Sequence, residues 1–331
     1  MTNKLHKIYA QTLPAFLLPY LESEALQRLQ NIQMNCGVNY TSYPLFTVGN
    51  TYTRYEHSIG TALLAWHFTH DQKQALACLF HDIATPAFSH TVDFMYKDYL
   101  KQEATEDRTA EIIKNDQTIM ACLDNDGIAW QDVSDYHRYP ICDNDSPKLS
   151  CDRLEYTLGT MKQFAYTDLD EIKRIFEDIV VGVNEEGEQE LAFAHAQYAA
   201  EFTHSSIRSG RMFSCGSQRY AMESLAILLK EAVGKSIITE DDLYHDEPFV
   251  IDKLMHSSLR DEWIRYTKLK DATASKEYEP GMIKVPAKKR YIDPLVINKG
   301  RIIGMDTELN KEREAFLKED QDVWLKGVYD E

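Results

Sequence analysis

The sequence of 331 residues has little glycine and proline, with 14 Gly and 10 Pro, while 44% of its residues are hydrophobic. These proportions exclude a collagen-like, low-complexity or disordered chain. Cysteine is also scarce. The chain has six cysteines, and they stand at irregular spacings without a C-x-x-C pair. We therefore expect reduced, mostly buried thiols in a globular cytoplasmic protein rather than a disulfide scaffold.

Long hydrophobic runs and an excess of basic residues are missing as well. The longest apolar stretches are far shorter than the roughly 20 residues that span a bilayer, so we predict no membrane segment. The N-terminal segment is interrupted by Pro14 and Pro19 and lacks a small-residue cleavage site, so we interpret it as mature sequence. The chain carries 53 Asp and Glu against 36 Lys and Arg, a formal charge of -17, which disfavours general nucleic-acid binding.

One segment departs from this acidic balance. Between Met282 and Arg301 there are six Lys or Arg residues and a single acid, Asp293. The β-branched residues of this segment, with Gly300 in the turn, predict a short hairpin near residues 290–303. We expect this basic stretch either to be a solvated hairpin or to bind the phosphate of an effector.

Helical periodicity dominates the chain and predicts a mainly α fold. Thr53 and Glu56 have the spacing of a capping box before an apolar stripe, so a helix is predicted to begin near Thr53. Asp71 is a second N-terminal signal, and Pro86 predicts that the following helix ends by about Thr85, with His81 in its last turns. Further helices are predicted over about 89–100, 105–114, 150–163, 168–180, 218–233, 248–257 and 308–327.

The distribution of these signals predicts two parts. Residues 1–180 are expected to form a helical core, and residues 181–331 a smaller α+β C-terminal lobe with the short hairpin and a terminal helix. Residues 122–150 are polar and turn-rich, so we interpret them as a loop insertion in the core. Residues 183–190 are interpreted as an acidic turn.

An adjacent His-Asp pair carries little information by itself, because the chain has 11 histidines and such pairs arise by chance. The sequence contains three of them, which are His70-Asp71, His81-Asp82 and His245-Asp246. The first is explained by a helix cap at Asp71, and the third lies in a polar stretch. Only the His81-Asp82 pair has neighbours that suggest chemistry.

Three segments accompany the His81-Asp82 pair. R-Y-E-H-S-I-G precedes it at residues 54–60, P-A-F-S-H follows it at residues 86–90, and C-D-R-L-E-Y occupies residues 151–156. This arrangement resembles the HD-domain metal-dependent phosphohydrolases, and within them the dNTP triphosphohydrolases of the SAM/HD type and their bacterial relatives. That branch has R-[FY]-E-H-S-[LI]-G, H-D-x5-F-S-H and D-[KR]-x-x-Y segments in the same order. The likeness covers most of residues 20–165 and extends loosely to residues 290–294.

The resemblance implies a metal site and an HD-domain helical core. Its ligands would be His57, His81, Asp82 and Asp152. Two imidazoles and two carboxylates suit a borderline divalent cation, so we expect one transition metal (Mn, Fe, Ni, Zn or Co), and Mg could arrive with the substrate. Such a metal lowers the pKa of a bound water from about 15.7 toward about 7, which provides a nucleophile at neutral pH.

Other residues take substrate and proton-transfer roles by the resemblance. Arg54, one helical turn before His57, would contact phosphate, and Arg153 and Tyr156 would line a nucleotide pocket. His90 would face the phosphoryl group as a donor or acid. The alternative for these side chains is a solvated or capping role.

Four positions depart from the family pattern. Thr85 and Thr105 stand where histidines are expected, Met34 where a glutamine would contact the sugar 3′-hydroxyl, and Thr160 where an acid is expected. The metal ligands are therefore intact, whereas the proton relay and the sugar contacts are altered. A substrate other than a dNTP is consequently compatible with the pattern.

The altered relay leaves the general acid open. We expect His90, Glu106 or Asp107 to take this role. The role matters because general acid–base catalysis contributes a factor of about 10²–10⁴ to the rate of an enzyme. Thr85 and Thr105 also motivate an alternative function, a catalytically weak regulatory protein that binds a ligand.

The sequence thus predicts a phosphohydrolase that uses a metal-bound water on a phosphorylated small molecule. The substrate would be a nucleotide, either a dNTP split into deoxynucleoside and triphosphate or another phosphate ester. A di-iron oxygenase is a second alternative, but only His90 and His137 lie between the His-Asp pair and Asp152, which favours one metal. The resemblance further implies a homo-oligomer, a dimer or a tetramer.

Overall fold

The computed structural model describes residues 3–46, 52–100 and 108–330. Its fold is mainly α with a small β component, as the helical periodicity predicts. The helices are α1 (His6–Tyr9), α2 (Glu24–Arg28), α3 (Arg54–Thr69), α4 (Gln72–Phe80), α5 (Thr91–Met95), α6 (Thr109–Asn115), α7 (Gln117–Asp126), α8 (Cys151–Gln163), α9 (Leu169–Glu177), α10 (Ala196–Ser214), α11 (Gly216–Gly234), α12 (Glu247–Met255), α13 (Arg260–Thr267), α14 (Ile302–Met305) and α15 (Thr307–Lys318). No helix in this part of the chain is long and apolar enough to cross a membrane.

The strands form two small sheets. They are β1 (Ile179–Val183), β2 (Gln189–Phe193), β3 (Leu269–Ser275), β4 (Leu295–Val296), β5 (Gly300–Arg301) and β6 (Trp324–Tyr329). The first sheet has the order β1-β2-β4-β5, in which β2 and β4 are parallel and the other pairs antiparallel. β3 and β6 form the second, antiparallel sheet. The β4–β5 pair is the hairpin predicted near residues 290–303.

The helices that carry the site begin at the residues that the capping signals predict. Thr53 accepts a hydrogen bond from the backbone N–H of Glu56, whose carboxylate accepts one from the N–H of Thr53, so the capping box of α3 is complete. The Asp71 carboxylate caps α4. α4 ends at Phe80, and His81 follows it directly in a turn rather than inside the helix.

Several predicted element boundaries are wrong, and one of them is the helix predicted over 89–100, which the structure has only over Thr91–Met95. Residues 122–126 belong to α7 rather than to a loop insertion, because Leu123 continues the buried stripe of Ile119 and the left-handed Gly127 ends the helix. The terminal helix ends at Lys318, and residues 324–329 form strand β6 instead of continuing it. The longest element that periodicity missed is α10, whose buried face contains serines and a glycine as well as apolar residues.

Two buried hydrophobic clusters hold the fold together. The first joins α3, α4 and α8 to α10 and α15, and the second joins α5 to α11, α12 and α13. Both clusters contain residues from either side of position 180, and that position itself lies within β1. The division at residue 180 stays a prediction. The site described next lies where these helices meet.

Candidate metal centre

Three side chains from three elements meet at one point. His57 lies in the first turn of α3, Asp152 in the first turn of α8, and His81 directly after α4. The Nε2 atom of His57 lies 3.0 Å from Oδ1 of Asp152 and 3.1 Å from Nε2 of His81. Nε2 of His81 lies 3.6 Å from Oδ1 of Asp152. Among the described residues this is the group of His, Cys, Asp and Glu side chains whose donor atoms lie close enough for one ion.

The hydrogen bond that each histidine ring makes through Nδ1 determines whether its Nε2 atom faces the cluster as a donor or as an acceptor. Nδ1 of His81 lies 2.6 Å from the carbonyl oxygen of Cys78, which can only accept, so this nitrogen carries a proton. Nδ1 of His57 lies 2.6 Å from Oε2 of Glu155 and donates to it for the same reason. In the neutral rings both Nε2 atoms are therefore lone-pair acceptors that face each other and the Asp152 carboxylate. Three converging acceptors require a cation between them.

The electrostatics of the cluster are those of a cation site. Burial lowers the pKa of His57, but its hydrogen bonds to Asp152 and Glu155 outweigh burial and raise that pKa to about 10. Burial raises the pKa of Asp152, but the hydrogen bond to His57 and the charges of His57 and His81 together outweigh burial and lower that pKa to about 2. Without a bound metal ion, a proton on His57 therefore supplies the positive charge between the acceptors.

The geometry fits a divalent metal. Donor atoms about 2.0–2.2 Å from one ion, at about 90–110° to each other, are separated by roughly 2.8–3.6 Å. The three separations of 3.0, 3.1 and 3.6 Å fall within this range. Two imidazole nitrogens and a carboxylate oxygen are ligands that suit Zn, Mn, Fe, Ni or Co.

Asp82 is adjacent to this cluster and is held by two other residues. Its Oδ2 lies 3.5 Å from Nε2 of His81 and 3.8 Å from Nε2 of His57, so it stands at the rim of the cluster. The same oxygen accepts from Nη1 of Arg54 at 2.8 Å, and its Oδ1 accepts from the hydroxyl of Thr85 at 2.9 Å. Burial raises the pKa of Asp82, but Arg54, His81 and His57 together outweigh burial and hold that pKa well below its usual range. Whether Asp82 is the fourth ligand stays a prediction.

Glu155 is the functional residue that sequence reasoning missed. It lies one helical turn after Asp152 on α8, is completely buried, and binds His57 on the side away from the cluster. Tyr52 donates its hydroxyl proton to the same carboxylate oxygen. A carboxylate that fixes the tautomer of a ligand histidine is a common partner of protein metal sites. The C-D-R-L-E-Y segment contains two acids, Asp152 and Glu155, and the resemblance drew attention only to the first.

Two glycines make room for this pair. A Cβ atom at Gly60 of α3 would collide with the carboxylate of Glu155, and one at Gly159 of α8 would collide with the ring of Tyr52. Both glycines lie in the interior of helices, where glycine costs about 1 kcal/mol relative to alanine. The close approach of α3 and α8 around Glu155 and Tyr52 therefore depends on these two positions.

A cavity of about 590 Å³ opens over the cluster. The residues predicted to contact substrate line its wall, namely Arg54, His90, Arg153 and Tyr156. The remaining candidates, Glu106 and Asp107, lie outside the described residues, as does Thr105. The structure therefore brings together every described residue of the predicted site.

Two of these candidates are held in place by neighbouring acids or amides. Nδ1 of His90 lies 2.9 Å from Oδ2 of Asp93, and burial lowers the pKa of His90. Nη1 of Arg153 donates to Oδ1 of Asn144 at 2.7 Å, and its Nη2 lies 3.2 Å from Asp143. The segment after α7 therefore positions Arg153 and forms one wall of the cavity.

The basic stretch from Lys284 to Arg301 does not form one patch. Arg301 binds Glu185 and Glu190, and Lys289 donates to the carbonyl oxygens of Leu317 and Glu319. Lys288 and Arg290, in contrast, line the cavity over the metal cluster. The stretch is thus split between structural ion pairs and the wall of the candidate site.

The positions that depart from the family pattern also lie at the site. Met34 and Thr160 line the cavity, while Thr85 donates its hydroxyl proton to Asp82. The other wall comes from α10 and α11, which the sequence did not associate with the site. This wall includes Ser206, Ser209, Gly210, Phe213, Gln218, Arg219 and Met222.

Comparison with known proteins gives distant relatives, and no family model matches the chain. The chain is 27% identical to "Uncharacterized protein YdhJ" of Bacillus subtilis over 240 residues, which cover 72% of this chain and 70% of that protein. It is 26% identical to "Metal-dependent phosphohydrolase cns2" of Cordyceps militaris over 171 residues, 51% of this chain and 48% of that protein. It is 24% identical to "Uncharacterized protein MJ1154" of Methanocaldococcus jannaschii over 213 residues, 58% of this chain and 43% of that protein. The fungal and archaeal matches thus span less than half of those relatives.

Proposed function

We propose that this protein is a metal-dependent phosphohydrolase of the HD superfamily that hydrolyses a nucleotide. The observation that carries the proposal is the convergence of three acceptor atoms, from His57, His81 and Asp152, within 3.6 Å of one another. The distant likeness to a protein named metal-dependent phosphohydrolase supports the same reaction class. The reaction would be either the release of triphosphate from a dNTP or the cleavage of another phosphate ester.

A divalent metal held by His57, His81 and Asp152 would polarise a phosphoryl oxygen and lower the pKa of a water molecule. The residues around the cluster have separate tasks. Glu155 keeps the His57 ring in the tautomer that presents Nε2 to the cluster. Arg54 keeps Asp82 ionised beside the cluster, at 2.8 Å from its Oδ2.

His90 has the properties of a proton acceptor at neutral pH. Its Nδ1 is engaged by Asp93, which leaves Nε2 for proton exchange, and burial lowers the pKa of the imidazole. A neutral ring with a free Nε2 lone pair accepts a proton from a water more readily than it donates one. We therefore assign His90 the role of a base or orienting group, in place of the acid that the sequence predicts.

The walls of the cavity favour a phosphorylated ligand that also has an apolar part. Cationic residues contribute to the lining of the cavity, and they are Arg54, Arg153, Arg219, Lys288 and Arg290. Aromatic and sulfur-containing side chains occupy other parts of the wall, and they include Phe94, Tyr136, Tyr156, Phe213, Met34 and Met222. A volume of about 590 Å³ lies within the range of about 300–1,000 Å³ that small-molecule sites occupy. A nucleotide matches this combination of charge and apolar surface.

The experiment that tests the proposal is product analysis. Protein loaded with Mn²⁺ is incubated with dNTPs, NTPs and nucleoside monophosphates, and the products are separated by ion-exchange chromatography. Asp152→Asn removes a donor of the cluster, and Asp145→Asn, an exposed acid of the preceding loop, is the matched control.

Nucleoside and triphosphate that disappear in Asp152→Asn, but not in the control, would support the triphosphohydrolase reaction. Orthophosphate from a monophosphate with the same dependence would support a nucleotidase. The absence of any product that depends on Asp152 would overturn the proposal and favour a regulatory protein that binds its ligand without turnover.

A further inference from the structure

Two side-chain amides in the cavity over the metal cluster lack adequate hydrogen-bond partners. Asn35 is 5% exposed, Gln218 is 2% exposed, and both line the cavity. In the described part of the chain no group hydrogen-bonds to the Asn35 side chain. Oε1 of Gln218 likewise has no partner there, and Nε2 of Gln218 donates only to Sδ of Met222, at 3.6 Å. Because a thioether sulfur is a weak acceptor, both amides keep donors and acceptors for a ligand.

The two amides lie toward a different set of helices from the metal ligands. The ligands are carried by α3, α8 and the turn after α4, and these helices pack in the first hydrophobic cluster. Gln218 lies in the first turn of α11, whose Met222 belongs to the second cluster, as does Cys36 next to Asn35. The cavity contacts both sets of residues. A ligand whose phosphate lies at the metal cluster can therefore extend to the two amides.

The surroundings of these amides are apolar, and this restricts what they bind. Cys36, Phe94 and Met222 are buried and line the same cavity. A polar group without a partner is costly in such surroundings, whereas a hydrogen bond made there is strong. A carboxamide places a donor beside an acceptor, and the edges of nucleobases carry the complementary pair. The flat faces of a base also pack favourably on aromatic and sulfur-containing side chains.

We propose that Asn35 and Gln218 bind the base of the nucleotide and thereby select nucleotides over phosphate esters that lack a base. The inference rests on the proposed function for the position of the phosphate at the metal cluster. A sugar phosphate would leave both amides unpaired, and a site that hydrogen-bonds its substrate rejects analogues without the matching groups. Each amide can turn over by rotation of its terminal torsion, so it pairs with amino and with oxo bases alike. We therefore expect several bases to be accepted.

The same amides should lower the stability of the protein without ligand. A buried oxygen without a partner, such as Oε1 of Gln218, destabilises the folded state. Gln218→Met replaces the amide by an apolar side chain of similar length, so the melting temperature of this variant should equal or exceed that of the wild type. A glutamine with a purely structural role would give a lower melting temperature instead.

Isothermal titration calorimetry in EDTA, where a metal-dependent reaction does not proceed, tests the base contact. The titrants are dNTPs and NTPs, with tripolyphosphate as the ligand that carries the phosphates without a base. Gln218→Met should weaken nucleotide binding about 10- to 100-fold, since about two hydrogen bonds are lost, and should leave tripolyphosphate binding unchanged. Gln117→Met, at an exposed glutamine of α7, is the matched control. Asn35→Leu provides the same test if Gln218→Met does not fold.

Three results would overturn the inference. They are tripolyphosphate that binds as tightly as the nucleotides, nucleotide binding by both variants that equals the wild type, and a less stable Gln218→Met that binds every ligand more weakly. A failure of the proposed function differs from these. Nucleotide binding that depends on Gln218, without any product that depends on Asp152, would support the base contact and refute the hydrolase. Products that depend on Asp152, with unchanged nucleotide affinity in both variants, would refute the base contact alone.

Discussion

Nδ1 of His57 lies 2.6 Å from Oε2 of Glu155, while Nε2 of the same ring lies 3.0 Å from Oδ1 of Asp152. Both carboxylates come from the first two turns of α8. One helix therefore supplies a donor atom to the cluster and also the group that orients a second donor. The candidate site depends on how closely α3 packs against α8.

Glu155→Gln should weaken metal binding about 10- to 100-fold, because the amide holds the His57 ring less firmly than the carboxylate does. Isothermal titration calorimetry with Mn²⁺ or Zn²⁺ at one pH measures this change. Glu223→Gln is the matched control, since Glu223 also accepts from a tyrosine hydroxyl, that of Tyr99, but on α11. Equal metal affinities for all three proteins would contradict a role for Glu155 at the site.

Gly60→Ala should destabilise the protein by about 1–3 kcal/mol, although alanine favours a helix interior. The added methyl group would displace the Glu155 carboxylate, so metal binding should weaken as well. Thermal unfolding and metal titration measure the two effects. Gly234→Ala near the end of α11, where a Cβ meets nothing within 4 Å, should leave both unchanged or raise stability slightly.

Lys288→Met should raise KM for a phosphorylated substrate by about 10- to 100-fold with a smaller change in kcat. Lys288 lines the cavity, and hydrogen bonds to charged groups are worth about 1.5–3 kcal/mol. Lys289→Met is the control next in sequence, since Lys289 binds the carbonyl oxygens of Leu317 and Glu319 instead. Steady-state kinetics on the substrate found by product analysis separates the two lysines. Identical KM values for both variants would remove Lys288 from the binding site.

Arg301→Met should lower the free energy of unfolding by about 3–5 kcal/mol, because it leaves the buried Glu190 without its cation. Nη1 and Nη2 of Arg301 lie 2.5 and 2.8 Å from the two carboxylate oxygens of Glu190. Arg174→Met removes an exposed ion pair with Glu171 and should cost less than about 1 kcal/mol. Urea titrations of the two variants give the comparison, and similar losses would contradict the structural role of Arg301.

Glu247→Gln should change how stability depends on pH. Burial raises the pKa of Glu247 to about 7, although Tyr40 and Gln33 donate to its carboxylate. Between its ordinary value of 4.5 and about 7 the folded state holds a proton that the unfolded state has lost. The stabilisation by this group is therefore present at low pH and is lost as pH rises through about 7.

The variant should accordingly gain about 1–3 kcal/mol over the wild type when pH is raised from about 5 to about 8. Urea unfolding at both pH values measures the difference between the two proteins, in which the other titrating groups cancel. Exposed Glu111→Gln should show no such gain. A difference that stays constant with pH would contradict the account of Glu247.

Local signals in the sequence determined the starts of the site helices and the identity of the ligand candidates. Capping by Thr53 and Asp71 depends on residues within one helical turn, so the starts of α3 and α4 could be predicted. His57, His81 and Asp152 stand in short segments that resemble a known pattern, and the structure brings them within 3.6 Å. The prediction of a helix over 308–327 is wrong after Lys318. Residues 324–329 form β6 instead, because this strand is stabilised by pairing with the distant β3.

Tertiary structure alone decided which groups surround the ligands. Glu155 orients His57 only because Gly60 and Gly159 let α3 and α8 approach, and this packing has no signature along either helix. The basic residues from Lys284 to Arg301 form one cluster in the sequence. In the folded chain, however, Arg301 binds Glu190, whereas Lys288 lines the cavity. Periodicity and capping report contacts within one element, whereas tautomers, ion pairs and cavity walls arise from contacts between elements far apart in the chain.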